Sequence, residues 1–244
     1  MLLASERGQL AGLLAPRSAA DAMAAYYALD HPSERVKLYA NYLRDAKPNS
    51  FLVLAQTGLD LFRPLVVPFA GQGENLKELL RAALKPGQPV LIDLPIGQRS
   101  AAEEVVQLSD VREAEILRLD PSLFVPQINV LVLESRTPDG WPRFEIHSGE
   151  LLQAAAGLNW SGDHFAEVYV EAMPAAVARG FRSAVLGVIA GHLLGEQKIA
   201  LYRAWDEDIN AKSDALNLGF QRTGTRSISA QAILVREESE PSEV

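Results

Sequence analysis

The 244-residue sequence has no cysteine. Disulfides, thiolate metal sites and thiol nucleophiles are therefore excluded. Histidine is scarce: His31, His147, His164 and His192 are scattered along the chain without ligand spacing, so no metal site is expected. No apolar run reaches the roughly 18 residues that a membrane-spanning helix needs. Basic charge is also short, with 23 Lys+Arg against 31 Asp+Glu and a net charge of −8. That balance argues against a general nucleic-acid binder, although it leaves room for a local cationic pocket. The opening MLLASERGQL carries an early glutamate and no basic cluster. It does not follow the signal-peptide pattern, and a cytoplasmic protein without membrane or nucleic-acid partners is expected.

What is present is an ordinary globular composition, 48% hydrophobic and 22% charged, sufficient for one large domain or two small ones. Residues 18–29 and 34–46 are expected to be helices, broken at Pro32, with Ser33 as a cap. Phe51–Gln56 and Leu61–Val67 form an expected hairpin around Thr57-Gly58. Pro64 there implies an edge or a bulge, because proline brings no ladder donor. GENLKELLRAAL, PVLIDLP, QRSAAEEVVQL and VREAEILRL then read as helix, strand, helix, strand. DPSLFVPQ (120–127), with two prolines and an aspartate, is the expected boundary. Beyond it INVLVLE reads as a strand, SRTPDGWPRFE as a loop or hairpin, SGELLQAAAG as a short helix and HFAEVYVEA as a strand. A helix over 180–195, the strand KIALYRAW, the helix NAKSDALNL and two final strands, FQRTG and RSISAQAILV, complete the order. The helix–strand–helix–strand order occurs twice, which suggests an internal structural duplication. The last eight residues carry four glutamates and read as a solvated tail.

The chemistry concentrates on MPAAVARGFRSAV, where a strand turns into an apolar helix. The first amides of a helix have no internal acceptor and sit at the positive end of its dipole, which makes an anion site. Gly180 lets a ligand approach the backbone, and Arg179 and Arg182 flank it. The same glycine also suits a plain turn. The stretch is neither a Walker loop nor a dinucleotide fingerprint.

In its context the stretch resembles the GNAT superfamily of N-acetyltransferases, over about residues 128–235 and most sharply over 164–221. That family has a strand followed by Arg/Gln-x-x-Gly-x-Gly/Ala and a helix, then a strand and an Asn-led helix ending in Gly-Phe. Gly180 takes the first glycine position. Val177 stands at the Arg/Gln position and Arg182 at the second Gly/Ala. LNLGF (216–220) is similar to the Gly-Phe ending, and Asp208 or Asn210 stands at the Asn. The resemblance implies two GNAT-like lobes of α/β class, each a mixed, mainly antiparallel sheet flanked by helices. Residues 1–125 would be a degenerate lobe, 126–236 the acyl-CoA-binding lobe and 237–244 an acidic tail. It also implies acetyl-CoA, or another acyl-CoA, as co-substrate. Its pyrophosphate would lie on Ala178, Arg179, Gly180, Phe181, Arg182 and Ser183, and its pantetheine along Val170, Ala172 and Met173. Arg182 either reaches the phosphates or fills the turn.

Amine acylation needs a base, an oxyanion donor and a proton for the leaving thiolate. Glu167, Tyr169 and Glu171 alternate on one strand face. Glu167 or Glu171 is the candidate base, with His164 as another. The family tyrosine falls on Ala215 or Asn217, neither of them an acid, so Tyr202 is the nearest substitute and Ser213 a weaker one. In the first half Gly71 and Gly73 open a helix with Glu74 and no arginine, the pattern of a non-binding copy. Tyr26, Tyr27 and Tyr39 read as core, and Trp141 and Trp160 as loop residues near the cleft. The expected activity is acyl transfer, most simply acetyl transfer, to a small-molecule or peptide amine by a monomer or homodimer. The alternatives are a non-catalytic CoA-binding sensor or scaffold, and a homo-oligomeric interaction protein.

Overall fold

The computed structural model describes residues 2–15, 17–42, 47–58, 60–71, 73–126 and 131–235. The boundary at Gln127, the end of the expected 34–46 helix and the acidic tail lie outside them. In chain order the elements are α1 (Leu2–Ala11), α2 (Ala22–Ala25), β1 (Val36–Tyr42), β2 (Pro48–Ala55), β3 (Leu65–Phe69), α3 (Gly73–Ala83), β4 (Pro89–Pro95), α4 (Arg99–Glu103) and β5 (Val106–Leu119). There follow β6 (Leu133–Arg136), β7 (Pro142–Ser148), β8 (Leu151–Ser161), β9 (Phe165–Ala172), α5 (Pro174–Val177), α6 (Phe181–Gly195), β10 (Ile199–Trp205), α7 (Ile209–Asn217) and β11 (Phe220–Leu234).

The chain forms two compact units, and neither is a contiguous stretch. One comprises residues 1–15, 23–113 and 227–244; the other comprises 16–22 and 114–226. The lobes therefore do not divide at a single linker near 125. The reason lies in two long strands. β5 and β11 run for 14 and 15 residues, and each passes from one unit to the other partway along. FQRTG and RSISAQAILV are accordingly one strand rather than two.

In the first unit the strand order is β1-β2-β3-β4, then the C-terminal part of β11, then the N-terminal part of β5. β3 and β4 are parallel and pair only at Leu65–Leu91 and Val66–Ile92, after which they separate. Pro68 falls beyond that separation and pairs with Leu52 on the other side, so its missing N–H costs no ladder bond on the β4 side. Pro64 lies just before the strand, and its carbonyl accepts from the Leu91 N–H. α3 buries Leu76, Leu79 and Leu80 against this sheet. The sequence suggested a helix over 34–46, but of its described residues Glu34 and Arg35 lie in a short 3-10 turn and Val36–Tyr42 form the strand β1, antiparallel to β2. The run VKLYANY is rich in β-branched and aromatic residues and gains a full ladder there. The expected helix over 18–29 is reduced to α2 and a wide turn at Tyr26–Asp30.

In the second unit the order is the N-terminal part of β11, the C-terminal part of β5, then β10-β9-β8-β7-β6. All neighbours with a known direction are antiparallel except β9 and β10. The expected helix SGELLQAAAG is instead strand β8. Its alanines are helix formers, but Ala154 and Ala156 point alternately into the core between Phe144, Ile146 and α6. Tertiary burial has overridden propensity. α6 is apolar on most sides, and Ile189, Ala190 and Leu193 are fully buried. Burying each of its large side chains contributes about 2 kcal/mol.

Candidate active site

β9 and β10 separate just where the candidate residues begin. Their parallel pairing ends at Val168–Tyr202, while β9 continues to Ala172 with its other edge bonded to β8. The Met173 N–H donates to the Gln153 carbonyl on the β8 side. Backbone groups alternate along a strand, so those of Val170 and Ala172 face the gap. The Met173 amide does not.

Gly180 is the N-cap of the 15-residue α6, at φ 73°. This left-handed conformation is costly for any side chain. A Cβ there would meet nothing within 4 Å, so the space over the turn is open. The Gly180 carbonyl accepts from Ala184, the first backbone bond of the new helix. The N–H groups of Phe181, Arg182 and Ser183 lie ahead of it, without intrahelical acceptors. Ala178 and Arg179 are exposed on the approach, and the Arg179 guanidinium lies 4.4 Å from the centre of the Phe181 ring. This turn is where the sequence suggested an anion cradle.

Arg182 neither extends over the turn nor fills it. Its side chain is 9% exposed and folds onto α7. Nε donates to Asp214 at 2.7 Å, and Nη1 to Asp208 at 3.1 and 3.2 Å. Among the described residues Nη2 is buried without a partner. Asp208 also caps α7 by accepting from the Ala211 N–H at 2.8 Å, whereas Asn210 is exposed and Ser213 lies on the solvent side of α7. The Gly-Phe ending has a steric cause. Gly219 sits at φ 102°, and a Cβ there would come within 2.5 Å of the Leu123 carbonyl oxygen.

The two faces of the sheet divide the candidate catalytic residues. Val168, Tyr202 and Ala204 face α6 and the core. Alternation puts Glu167, Tyr169, Glu171 and Arg203 on the opposite face. Glu167 and Tyr202 are therefore not brought together. Glu167 is buried, accepts from Asn159 at 2.8 Å and is ion-paired to Arg203 at 3.2 Å. Glu171 is 65% exposed, and its carboxylate lies 3.7 Å from Arg143. Burial pushes the Tyr202 phenol up to about 12, with Arg182 pulling the other way. Among the described residues its hydroxyl has no hydrogen-bond partner. His164 is exposed at the far end of β9, where its carbonyl accepts from Ile199.

Sequence reasoning missed the β7–β8–β9 cluster. Arg143 donates to the Tyr169 hydroxyl and to Glu145, both at 2.5 Å, and His147 contacts Glu145 at 3.1 Å. Burial raises the Tyr169 pKa, and the Arg143 guanidinium opposes that rise. Arg143 also holds the Glu145 carboxyl below its usual range. The signal available in the sequence was Gly157, a glycine inside a strand. Trp160 is buried in β8 rather than placed in a loop. Trp141 stays half-buried in the β6–β7 turn, bonded to Thr137. Among the described residues no group of three acidic or histidine side chains could hold a metal, and no helix is long and apolar enough to cross a membrane.

Solved structures share the fold of this chain. The chain has the fold of GNAT acetyltransferases. A GCN5-related N-acetyltransferase from Kribbella flavida superposes with a TM-score of 0.62 and 12% identity, over 91% of this chain and 97% of that one. A tandem GNAT protein from the clavulanic acid biosynthesis pathway gives 0.58 and 12% identity, over 95% and 96%. A GCN5-related N-acetyltransferase from Sphaerobacter thermophilus gives 0.55 and 11%, over 97% and 92%. The tandem structure supports the two-lobe architecture. No family model matches the sequence, and no curated protein matches it either.

Proposed function

We propose that this chain is an acyl-CoA-dependent N-acyltransferase whose second unit carries the site, with acetyl transfer to a small-molecule or peptide amine as its simplest reaction. The observation that carries this reading is the gap after Val168–Tyr202 combined with the Gly180 turn at φ 73°. The Val170 and Ala172 backbone groups would pair with the pantetheine amides. The N–H groups from Phe181 to Ser183, with the exposed Arg179, would hold the pyrophosphate. An acyl-CoA supplies the activated thioester.

Glu171 is the better-placed base. Glu167 is already committed to Arg203 and Asn159, while Glu171 is open to water beside the gap. Amine attack on the thioester carbonyl forms the C–N bond and breaks the C–S bond. Glu171, directly or through water, takes the amine proton. Tyr202 sits at the last paired position before the gap, on the sheet face opposite Glu171, and stays protonated at neutral pH; it would donate to the departing sulfur from the α6 side while Glu171 takes the amine proton from the other side.

A degenerate first unit follows the same logic. Its β3–β4 pair also splays, but the first turn of α3 carries Glu74. The Gln98 side chain donates to the Ala70 carbonyl, just after β3 and before α3. An acidic first turn already satisfies the helix dipole.

A second reading, a CoA-binding sensor without catalysis, is favoured by the ties on Glu167 and Arg182. Calorimetric titration with acetyl-CoA tests both readings: absence of binding removes both. Binding without free-thiol release across a panel of amines leaves the sensor.

A further inference from the structure

Resting on the acyltransferase reading, in which Glu171 takes the amine proton, we propose that Arg143 is the positioning residue for that carboxylate. It reaches from β7 across β8 and holds Glu171 beside the β9–β10 gap.

Glu171 needs an anchor. Val168 is the last β9 residue paired with β10, so Glu171 stands beyond that pairing, bonded on the β8 side alone. Its side chain is mostly exposed. A long side chain in that setting has rotamer freedom to lose before it can meet a substrate, and proton transfer requires it within hydrogen-bond reach of the amine. Among the described residues its one ion-pair partner is Arg143, whose Nη2 lies 3.7 Å away.

Arg143 can serve because it is itself fixed. Its side chain is only 22% exposed. Nε donates to Glu145 and Nη1 to the Tyr169 hydroxyl, both at 2.5 Å. His147 lies against the other oxygen of Glu145 at 3.1 Å. Nη2 makes no hydrogen bond among the described residues, and it is the nitrogen turned to Glu171. A planar guanidinium held at two nitrogens has its third placed for it.

The span needs a low path over β8. β7 and β9 are two strand spacings apart, about 10 Å. Ala154 and Ala156 point into the core, so Ala155 and Gly157 face the other side. Ala155 pairs with Glu145 on one side and with Glu171 on the other, and Gly157 pairs with Tyr169. The β8 residues between these side chains are thus an alanine and a glycine, and an arginine from β7 and a tyrosine from β9 meet above them.

This role is distinct from holding the acyl-CoA. Phe144 and Val168 face α6, so alternation puts Arg143 and Glu171 on the face away from that helix and its N-terminal turn. The guanidinium keeps its charge throughout and exchanges no proton. Whatever it adds to the rate passes through Glu171.

The test is a double-mutant cycle in the full chain, read by free-thiol release from acetyl-CoA with an amine that the unaltered protein acetylates. Arg143→Gln is expected to lower kcat about tenfold with the KM for acetyl-CoA unchanged, and to add no loss on top of Glu171→Gln. Tyr169→Phe removes one anchor of the guanidinium and keeps the ring. It is expected to show the same pattern with a smaller loss, about threefold, and it carries the test if Arg143→Gln does not fold. Urea midpoints give the folded fraction. Equal fold-losses with and without Glu171 overturn the proposal, because a merely structural role slows both backgrounds alike. So does an undiminished kcat in folded Arg143→Gln. A fully active Glu171→Gln removes the base, and this role with it, but leaves the acyltransferase standing. Absence of thiol release from the unaltered protein with every amine removes the acyltransferase reading itself.

Discussion

The Tyr169 ring on β9 lies across the position that a side chain at Gly157 on β8 would occupy. A Cβ on Gly157 would come within 2.5 Å of the Tyr169 hydroxyl and 2.6 Å of the ring carbons. The absent side chain lets the phenol reach over β8 to Arg143 on β7. Gly157→Ala should therefore expel the ring and break the Arg143 contact. Overpacking of this kind costs about 1–3 kcal/mol, to be read from urea midpoints. Tyr169→Phe removes the hydroxyl but not the crowding. If the steric account holds, adding Gly157→Ala to Tyr169→Phe still destabilises, whereas adding it to Tyr169→Ala costs much less.

Arg182, in the first turn of α6, is tied to α7 through its N-cap Asp208 and through Asp214 in its second turn. Arg182→Met should destabilise by about 2 kcal/mol, less than the ~3–5 of a fully buried pair, because the two carboxylates reach water. Their side chains are 46% and 28% exposed. Acetyl-CoA affinity should change little once the folded fraction is accounted for. A large loss of affinity in a fully folded variant would return Arg182 to the phosphate site.

His31 makes the first unit sensitive to acid. Its Nε2 faces the Gln56 carbonyl at 3.0 Å, and its Nδ1 faces the Tyr26 hydroxyl at 3.1 Å. Nε2–H donates and Nδ1 accepts, the pattern of a neutral ring. Burial holds its pKa below the usual histidine value, with Arg35 and Arg7 adding to that; the Gln56 bond and Glu34 oppose it. Because the folded pKa lies below the unfolded value of about 6.5, the contribution is complete above pH ~6.5 and is lost as pH falls through the folded pKa. Urea midpoints should drop between pH 7.5 and pH 5, and the drop should shrink in His31→Gln. An equal drop in both proteins would assign the acid sensitivity elsewhere.

Gly180→Val tests the turn itself. Holding a β-branched residue at φ 73° costs about 1–2 kcal/mol, and its side chain enters the open space over the helix start. Acetyl-CoA binding should be lost, while a cooperative melt at lower temperature shows that the fold survives. Retained affinity would remove the helix amides from the phosphate site.

The second lobe was legible where local signals agree with tertiary structure. Gly180, the apolar α6 and the Gly219-Phe220 ending each follow from a backbone or packing need that short motifs encode. The alanine run of β8 and the VKLYANY strand were misread as helices, because their state is decided by a neighbouring strand that sequence periodicity cannot see. The division into units failed at a single linker for a related reason. β5 and β11 each serve both units, a pairing with no local signature. In the site, the residue types on β9 were visible but their partners were not. Arg203 and Asn159 claim Glu167 from other strands, and Arg143 reaches Tyr169 from β7.

That difference in partners separates two glutamates that look equivalent in FAEVYVEA. Glu167→Gln removes the carboxylate 3.2 Å from the buried Arg203 and should cost about 3 kcal/mol, read as a lower urea midpoint. Glu171 is mostly exposed and only 3.7 Å from Arg143, so Glu171→Gln should change stability by under about 0.5 kcal/mol. If Glu171 accepts the amine proton, the same variant should lower acylation by about 10²-fold with acetyl-CoA affinity intact, and the rate should be partly restored at high pH, where the free amine needs no base. An active Glu171→Gln together with a folded, inactive Glu167→Gln would reverse the assignment and mean that the Arg203 pair opens when the acceptor binds.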